Sequence, residues 1–439
     1  MLRLFDTRHR QVEPILPAGA RALRMYTCGP AVHRHAHLGD LRSYLFADLI
    51  RRVVERQSVR AMVCQNITDI DPLGEDQVLA QGRSAQDAFR RDSLALNLRQ
   101  PEHTPRTSET IDLVVDLIAK LIEKGYAYPV PDGSVFFDAQ SFRSYGDISG
   151  NRLDALHPAH RIDGVDPRKR FHADWALWKA AHHDLTWDTP WGRGFPGRHI
   201  GCSAMSLAFL GEQVDLHTGG VDLLFPHHEN TRAQSDAAAG HEVVRHWAHG
   251  EHLLFDGREM AESTGNVVPL SDVTEAGLDP LAVRLALMEH RHRQRMDLTW
   301  DALHAADRTV RRWRQKVAEW AESPSRPIAP VAEDVQRAFN DDLDTPQALR
   351  LLRELERDPD VAPGSKFETF LHFDHLLGLD LSTEIGRVPV LPPGAAELLD
   401  QRDRARGAED WPEADRLRDE LAGLGVKVAD TPDGQTWAR

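Results

Sequence analysis

The chain has 439 residues, 41% hydrophobic and 28% charged, with a formal net charge of −15 and three cysteines. That length exceeds a single hydrophobic core and predicts about two to four domains, and the acidic balance excludes a protein coated all over with phosphate-binding charge. No stretch reaches the ~18 apolar residues of a membrane span, the start Met1-Leu2-Arg3-Leu4-Phe5-Asp6 lacks a secretory signal, and three cysteines without CxxC spacing build no disulfide framework, so a cytoplasmic protein with no membrane partner is expected.

Arg24 to Thr27 is short and extended, Gly29-Pro30 breaks it, Leu41 to Glu55 carries apolar residues at helical spacing, and Val59 to Val63 is β-rich. Residues from about 23 to 71 thus predict strand, turn, helix and strand, one βαβ half of a nucleotide-binding sheet. From about Pro105 to Gly194 the pattern changes. An amphipathic helix through Ile111, Val114, Leu117, Ile118 and Leu121 passes Gly125 into short strands and a polar stretch rich in His, Arg and Asp. The second half of the sheet is expected from His199 to about Val268.

Beyond it the spacing predicts helices over Pro280 to His290, Trp300 to Glu322, Ala332 to Phe339 and Thr345 to Arg357, the last with Thr345 as N-cap and Pro346 at its first position. Ser323 to Pro327 and a segment containing Pro363 read as loops. Pro392-Pro393-Gly394 reads as a linker before the last residues. Two basic stretches, His290 to Arg295 and Arg308, Arg311, Arg312, Arg314 and Lys316, read on their own as solvated helix faces.

The motifs are more specific than the periodicity. Met25-Tyr26-Thr27-Cys28-Gly29-Pro30, His37-Leu38-Gly39-Asp40 and Asn66-Ile67-Thr68-Asp69-Ile70-Asp71 precede His199-Ile200-Gly201-Cys202-Ser203-Ala204-Met205-Ser206. His217-Thr218-Gly219-Gly220-Val221-Asp222-Leu223 and Phe225-Pro226-His227-His228-Glu229-Asn230 follow. Together these resemble the cysteinyl-tRNA synthetases, a family of class I aminoacyl-tRNA synthetases. The resemblance reaches Asn340 to Leu349, which is similar to the start of the family's anticodon-stem helices. It continues into Asp410-Trp411, Ala414-Asp415-Arg416, Arg418 to Leu421 and Asp430 to Gly434, similar to its C-terminal module, with Trp411 and Trp437 as candidate aromatics.

The resemblance implies an α/β fold, a Rossmann-like doubly wound parallel sheet with an inserted subdomain, then a helical bundle and a small C-terminal module. The expected boundaries are 1–300 for the catalytic domain, with the insertion at about 105–194, then 301–390 for the helical anticodon-stem-binding domain and 391–439 for the anticodon-recognition module. It implies ATP-dependent activation of cysteine to an adenylate and transfer to tRNA, with a monomer favoured.

It also assigns roles. Cys28, Cys202 and His227 match one zinc site, where a soft-accepting metal separates a thiol from serine's hydroxyl, which shape alone rejects only ~100-fold. Read alone, isolated cysteines are usually small buried hydrophobes, and Cys64 stays so. The family's fourth ligand, a glutamate, is Thr231 here, leaving three ligands or recruiting His228 or Glu229. Gly29, His37, Gly39, Gly219, Gly220, Asp222, Arg258 and Ser263 match the site for ATP with Mg²⁺, with His37, Gly39 and Ser263 catalytic, and Thr68 and Arg198 match substrate contacts.

Several positions depart from the family. A His-Ile-Gly-His motif ends in Asp40, a Lys-Met-Ser-Lys-Ser motif reads Glu259-Met260-Ala261-Glu262-Ser263, and a pocket tryptophan is Arg198. Acidic groups beside a polyphosphate oppose its binding, with Arg258 the nearest substitute cation and Mg²⁺ able to bridge carboxylates to phosphate. Arg198 suits a more polar or anionic substrate, or simply faces solvent. Two alternatives remain open: a paralogue that ligates cysteine or another amino acid to a small amine, and a catalytically silent tRNA-binding relative.

Overall fold

Ala22–Thr27 and Arg60–Gln65 bury both faces over their C-terminal halves, as strands inside a covered parallel sheet do, while Ala22, Arg24 and Arg60 stay exposed. Val214–Gly220 and Val244–Gly250 complete a four-stranded sheet in the order Val244–Gly250, Val214–Gly220, Ala22–Thr27, Arg60–Gln65. All three pairings are parallel, with Tyr26 opposite both His217 and Cys64. The computed structural model describes residues 1–32, 34–70, 78–156, 166–181, 185–260, 265–387, 391–431 and 434–438. They form two units, Met1–Thr383 and Glu384–Arg439.

The helix Leu38–Arg56 crosses from the first strand to the second and buries Leu38, Leu41, Leu45, Leu49 and Val53 at helical spacing. It begins before the apolar spacing does because His37 and Asp40 form a reciprocal cap. The imidazole accepts from the Asp40 N–H at 3.2 Å, and the carboxylate accepts from the His37 N–H at 3.0 Å. Asp40 also places negative charge in the first turn, where the helix dipole favours it.

The insertion has its own core. Helix Ile111–Glu123 buries Ile111, Val114, Leu117, Ile118 and Leu121 beside an antiparallel sheet of Ala127–Pro129, Val135–Phe137, Trp175–Ala180 and Gly194–Pro196. Phe137 stacks on Trp175 at 4.3 Å.

The helical part comprises Pro280–Met288, Trp300–Trp320, Ala332–Asn340, Thr345–Arg357 and Pro363–Leu377. Two expectations are corrected. The N-cap of Thr345–Arg357 is Asp344, whose carboxylate accepts from the Gln347 N–H, so Thr345 is already helical. Pro363 opens a helix instead of interrupting one, since its missing N–H has no partner to lose in the first turn.

Fully buried Arg284 ties this bundle to the helix Leu38–Arg56. Its guanidinium donates to Asp48 at 2.6 Å and to the Leu377 and Leu96 carbonyls at 2.5 and 3.0 Å, and Arg52 donates to the same Asp48 at 2.7 Å. The basic stretches are largely paired within the protein: Arg293 with Asp342, Arg291 with Asp344, Arg312 with Glu356 and Arg314 with Asp279. The hairpin Arg3–Asp6 and Gln11–Pro14 was not legible in the spacing.

The second unit has helices Ala395–Gly407 and Trp411–Gly423 and a hairpin of Lys427–Thr431 with Gly434–Ala438. Its core is Ala395, Leu399, Leu421 and Val426, with Trp437 packed against it and Trp411 exposed. Among the described residues, no helix is long and apolar enough to cross a membrane.

Candidate active site

The first strand pairs with the second on one side and the third on the other, so the chain leaves it in two directions and opens a crevice at the C-terminal strand ends. Cys28 directly follows the first strand, and its N–H donates to Thr218 O at 3.2 Å. Gly29 donates to Asn66 Oδ1 at 2.9 Å, and a Cβ there would lie 1.7 Å from the Asn66 carbonyl oxygen, so only glycine permits this approach.

Cys202 comes from the first turn of Ile200–Leu210, and His227 from just before Glu229–Ala239. The ligand atoms of Cys28, Cys202 and His227 lie within 4.8 Å of one another. Cys28 belongs to a second such group with His217 and His228, whose Nε2 atoms are 3.5 and 3.2 Å from its sulfur. A further chain of contacts orients these rings. His227 meets His199 at 2.8 Å, His228 meets His249 at 2.7 Å, and His249 meets Thr7 Oγ1 at 2.7 Å.

The pair of thiols is asymmetric. Hydrogen bonding from Cys28, aided by His227, pulls Cys202 well below the usual thiol range, whereas the bond to Cys202 and burial push Cys28 well above it. Burial pushes His217 and His228 well down and His249 down to about 3, so these rings are neutral at physiological pH and keep lone pairs. Burial holds Cys64 at about 12, in keeping with a packing role. Two buried sulfurs and one half-buried imidazole, convergent, suit a tetrahedral zinc ion with one open position.

Thr231 does not replace the missing glutamate. Its hydroxyl donates back to the His227 carbonyl at 2.5 Å. Nor does Glu229 serve, which corrects that alternative. Its carboxylate accepts from Ile148 N, Ser149 N and Ser149 Oγ. His228 stands beside Cys28, in the group with His217 and not in the one with Cys202 and His227.

A cavity of about 350 Å³ adjoins the cysteine cluster, lined by Cys28, Gly29, Arg34, His37, Gly39, Asp40, Gly220, Asp222 and Glu259. Gly220 lies tight against Asp222, where a Cβ would come within 2.2 Å of Oδ1. Gly219 instead makes room for His228, 2.7 Å from where its Cβ would be. Asp40 is held by Arg34 through a forked pair at 2.6 and 3.0 Å. Burial would raise the Asp40 carboxyl, but Arg34 and His37 hold it below the usual range.

Other expected residues lie apart from this cavity. Thr68 pins a loop, accepting from Asn66 Nδ2 at 2.9 Å and exchanging backbone bonds with Pro30 and Val32. Arg198 and Arg258 are exposed and do not line the cavity. Ser263, with Ala261 and Glu262, lies outside the described residues. Sequence reasoning passed over Arg34 and His249 and took His217 only as part of its motif, although a histidine within each of two strands of the parallel sheet was a usable signal.

A family profile described as the tRNA synthetases class I (C) catalytic domain matches residues 14–308. One described as the cysteinyl-tRNA ligase anticodon binding domain matches residues 388–437. The chain is 39% identical to a cysteine–tRNA ligase of Opitutus terrae over 457 residues, 99% of this chain and 98% of that protein. It is 35% identical to one of Salinibacter ruber over 506 residues, 100% of this chain and 98% of that protein. In fold it is similar to a Mycobacterium tuberculosis methionyl-tRNA synthetase bound by methionyl-adenylate, with TM-score 0.54, 16% identity, and 89% and 96% of the two chains covered. A leucyl-tRNA synthetase of Agrobacterium radiobacter gives TM-score 0.57 at 11% identity, covering 83% and 84%.

Proposed function

The chain belongs to the cysteinyl-tRNA synthetase family, and on that premise we propose how its own residues serve the ligation of cysteine to tRNA. It is a cysteine–tRNA ligase of class I α/β fold. In the first step the cysteine carboxylate attacks the α-phosphorus of ATP, giving cysteinyl adenylate and releasing pyrophosphate. In the second a tRNA hydroxyl attacks the acyl carbon, and AMP leaves.

The observation that carries the residue assignment is the convergence of Cys28, Cys202 and His227 beside the cavity that holds His37, Gly39, Gly220 and Asp222. Cys28, Cys202 and His227 hold one zinc ion in this reading. When bound, it supplies a soft Lewis acid that recognises the substrate sulfur. His227 is oriented by His199, and Cys28 is backed by His217 and His228, so the donors are set before substrate arrives. Gly29, Gly219, Gly220 and Asp222 serve the adenosine side, and His37 and Gly39 present a ring and a backbone edge at the start of a helix, where phosphate is favoured. By their place in the family's motifs alone, Ser263 and Arg258 are assigned to the phosphate end and Thr68 and Arg198 to the amino-acid side, since Thr68, Arg198 and Arg258 do not line the cavity.

Catalysis here is positioning and charge. Asp40 and Glu259 put carboxylates on the cavity wall, with Arg34 balancing the first. Glu259 opposes a polyphosphate unless Mg²⁺ lies between, so adenylation is slower than with lysine there. Residues 1–300 form the catalytic part around an insertion at about 105–194, with 301–390 on the anticodon stem and 391–439 on the anticodon, in a chain that works as a monomer.

The test is aminoacylation by the purified chain, run beside pyrophosphate exchange and zinc analysis. Cysteine-dependent exchange, charging of cysteine-accepting tRNA and about one zinc per chain support the reading. Exchange without charging favours a small-amine acceptor, tRNA binding without exchange favours a silent relative, and either overturns it.

A further inference from the structure

A second group of metal-ligating side chains lies away from the cysteine cluster. Asp6 and His9 belong to the turn end of the N-terminal hairpin, Glu13 to its return strand, and His246 to the edge strand Val244–Gly250. One ligand atom from each of the four lies within 4.8 Å of the others. His246 Nδ1 is 3.3 Å from Asp6 Oδ2 and 3.2 Å from Glu13 Oε1, and His9 Nδ1 is 2.6 Å from Glu13 Oε1 and 3.7 Å from Asp6 Oδ1. A tetrahedral ion with bonds of about 2.0–2.1 Å holds its donors about 3.3–3.4 Å apart. With Asp6 Oδ2 as that residue's donor, the two separations from His246 fall within about 0.2 Å of that value, and the one from His9 to Glu13 opens by a small rotation of His9, whose side chain is 42% exposed.

We propose that Asp6, His9, Glu13 and His246 form a second divalent-cation site, of zinc, cobalt or nickel type, that clamps the N-terminal hairpin to the edge of the parallel sheet. Two imidazoles and two carboxylates are the donor set such borderline cations take, and the paired carboxylates match the cation's charge. The site is pre-set. Asp6 is 2% exposed, Oδ1 accepts from the Arg8 and His9 N–H groups at 2.7 Å, and Oδ2 accepts from the Trp247 N–H at 3.0 Å. A carboxylate offers about four lone-pair directions, so one on Oδ2 remains. His246 is likewise buried, while His9 and Glu13 stay open enough for an ion to enter. The clamp lies beside function, because Thr7, in the same hairpin turn, bonds His249 of the same edge strand.

The test uses the full chain and cobalt(II), whose thiolate-bound form absorbs in the near ultraviolet and whose nitrogen and oxygen-bound form does not. Titration is expected to show two equivalents, one with the thiolate band and one without. H9A and E13Q, at positions exposed enough to leave folding intact, each weaken the second equivalent by ~10-fold or more and leave the thiolate band unchanged. H246F removes the second equivalent and, with it, the part of the cobalt-dependent rise in thermal midpoint that the parent gains beyond its first equivalent. A single equivalent carrying the thiolate band overturns the proposal and leaves the cysteine site standing. A second equivalent indifferent to H9A and E13Q overturns it too, while loss of the thiolate band alone counts against the cysteine site only.

Discussion

Replacing Asp40 with asparagine tests how charge on the cavity wall sets nucleotide affinity. Asparagine keeps an oxygen that can accept from the His37 N–H, so the helix start survives, but the forked pair with Arg34 loses its negative member. A cavity of about 350 Å³ is roughly 9 Å across if spherical, so a wall charge lies about 6 Å from a phosphate within it. One unit charge at that range, with an effective dielectric near 20, is worth about 3 kcal/mol. Arg34 and Asp40 are 30% and 25% exposed, and halving the value for solvent and salt leaves about 1–1.5 kcal/mol. D40N is therefore expected to lower the KM for ATP in pyrophosphate exchange by ~5- to 10-fold, with the gain shrinking as salt rises. The loss of a first-turn charge costs up to ~1 kcal/mol of stability, read separately by urea unfolding. A KM that is unchanged or higher, with unfolding moved by no more than that, would show that Asp40 does not face the phosphates.

Three further outcomes follow from the geometry. C202S should weaken zinc by ~10²-fold or more, since a four-ligand site holds ~10–16 kcal/mol and one ligand carries about a quarter; chelator competition reads this directly. R284M should destabilise the chain by ~3 kcal/mol in urea unfolding because it leaves buried Asp48 with Arg52 as its one cation and takes the donor from the Leu96 and Leu377 carbonyls, and combining it with D48N should cost less than the sum of the two singles. His292, stacked on Phe46 at 4.4 Å, is pushed down to about 3 by burial and by Arg293, Arg42 and Arg291. The unfolded ring titrates near 6.5, so its unfolded state binds the proton first. Stability present above about 6.5 is then lost as pH falls toward about 3, at up to ~1.4 kcal/mol per unit. H292F keeps the stack and should flatten that part of the stability profile; an unchanged slope would count against a neutral buried ring.

The first two strands of the parallel sheet were legible as short extended or β-rich runs on either side of a helical spacing, whereas the last two, broken by charged residues and histidine, were not; the helix Ile111–Glu123 was legible because its apolar stripe is unbroken. Helix starts were harder. Asp344 and Thr345 are both good N-caps, and only the bond to Gln347 decides between them. Pro363 looked like a breaker because proline at the first position of a helix and proline in a loop are the same letter. Within the site, Cys28, Cys202 and His227 were found through their motifs. His228 was offered with them, but the backing by His217 and His249 was not, because Tyr26 facing His217 is a matter of strand register between segments far apart in sequence. That Glu229 is spent on Ser149 depends on where the insertion folds back.

The hydrogen-bonded line from Thr7 through His249 and His228 to Cys28 starts in the turn of the hairpin Arg3–Asp6 with Gln11–Pro14, and Leu2 and Leu4, on the segment that leads into that turn, are buried. A substitution in this turn therefore reaches the reactive thiol's surroundings from outside the parallel sheet.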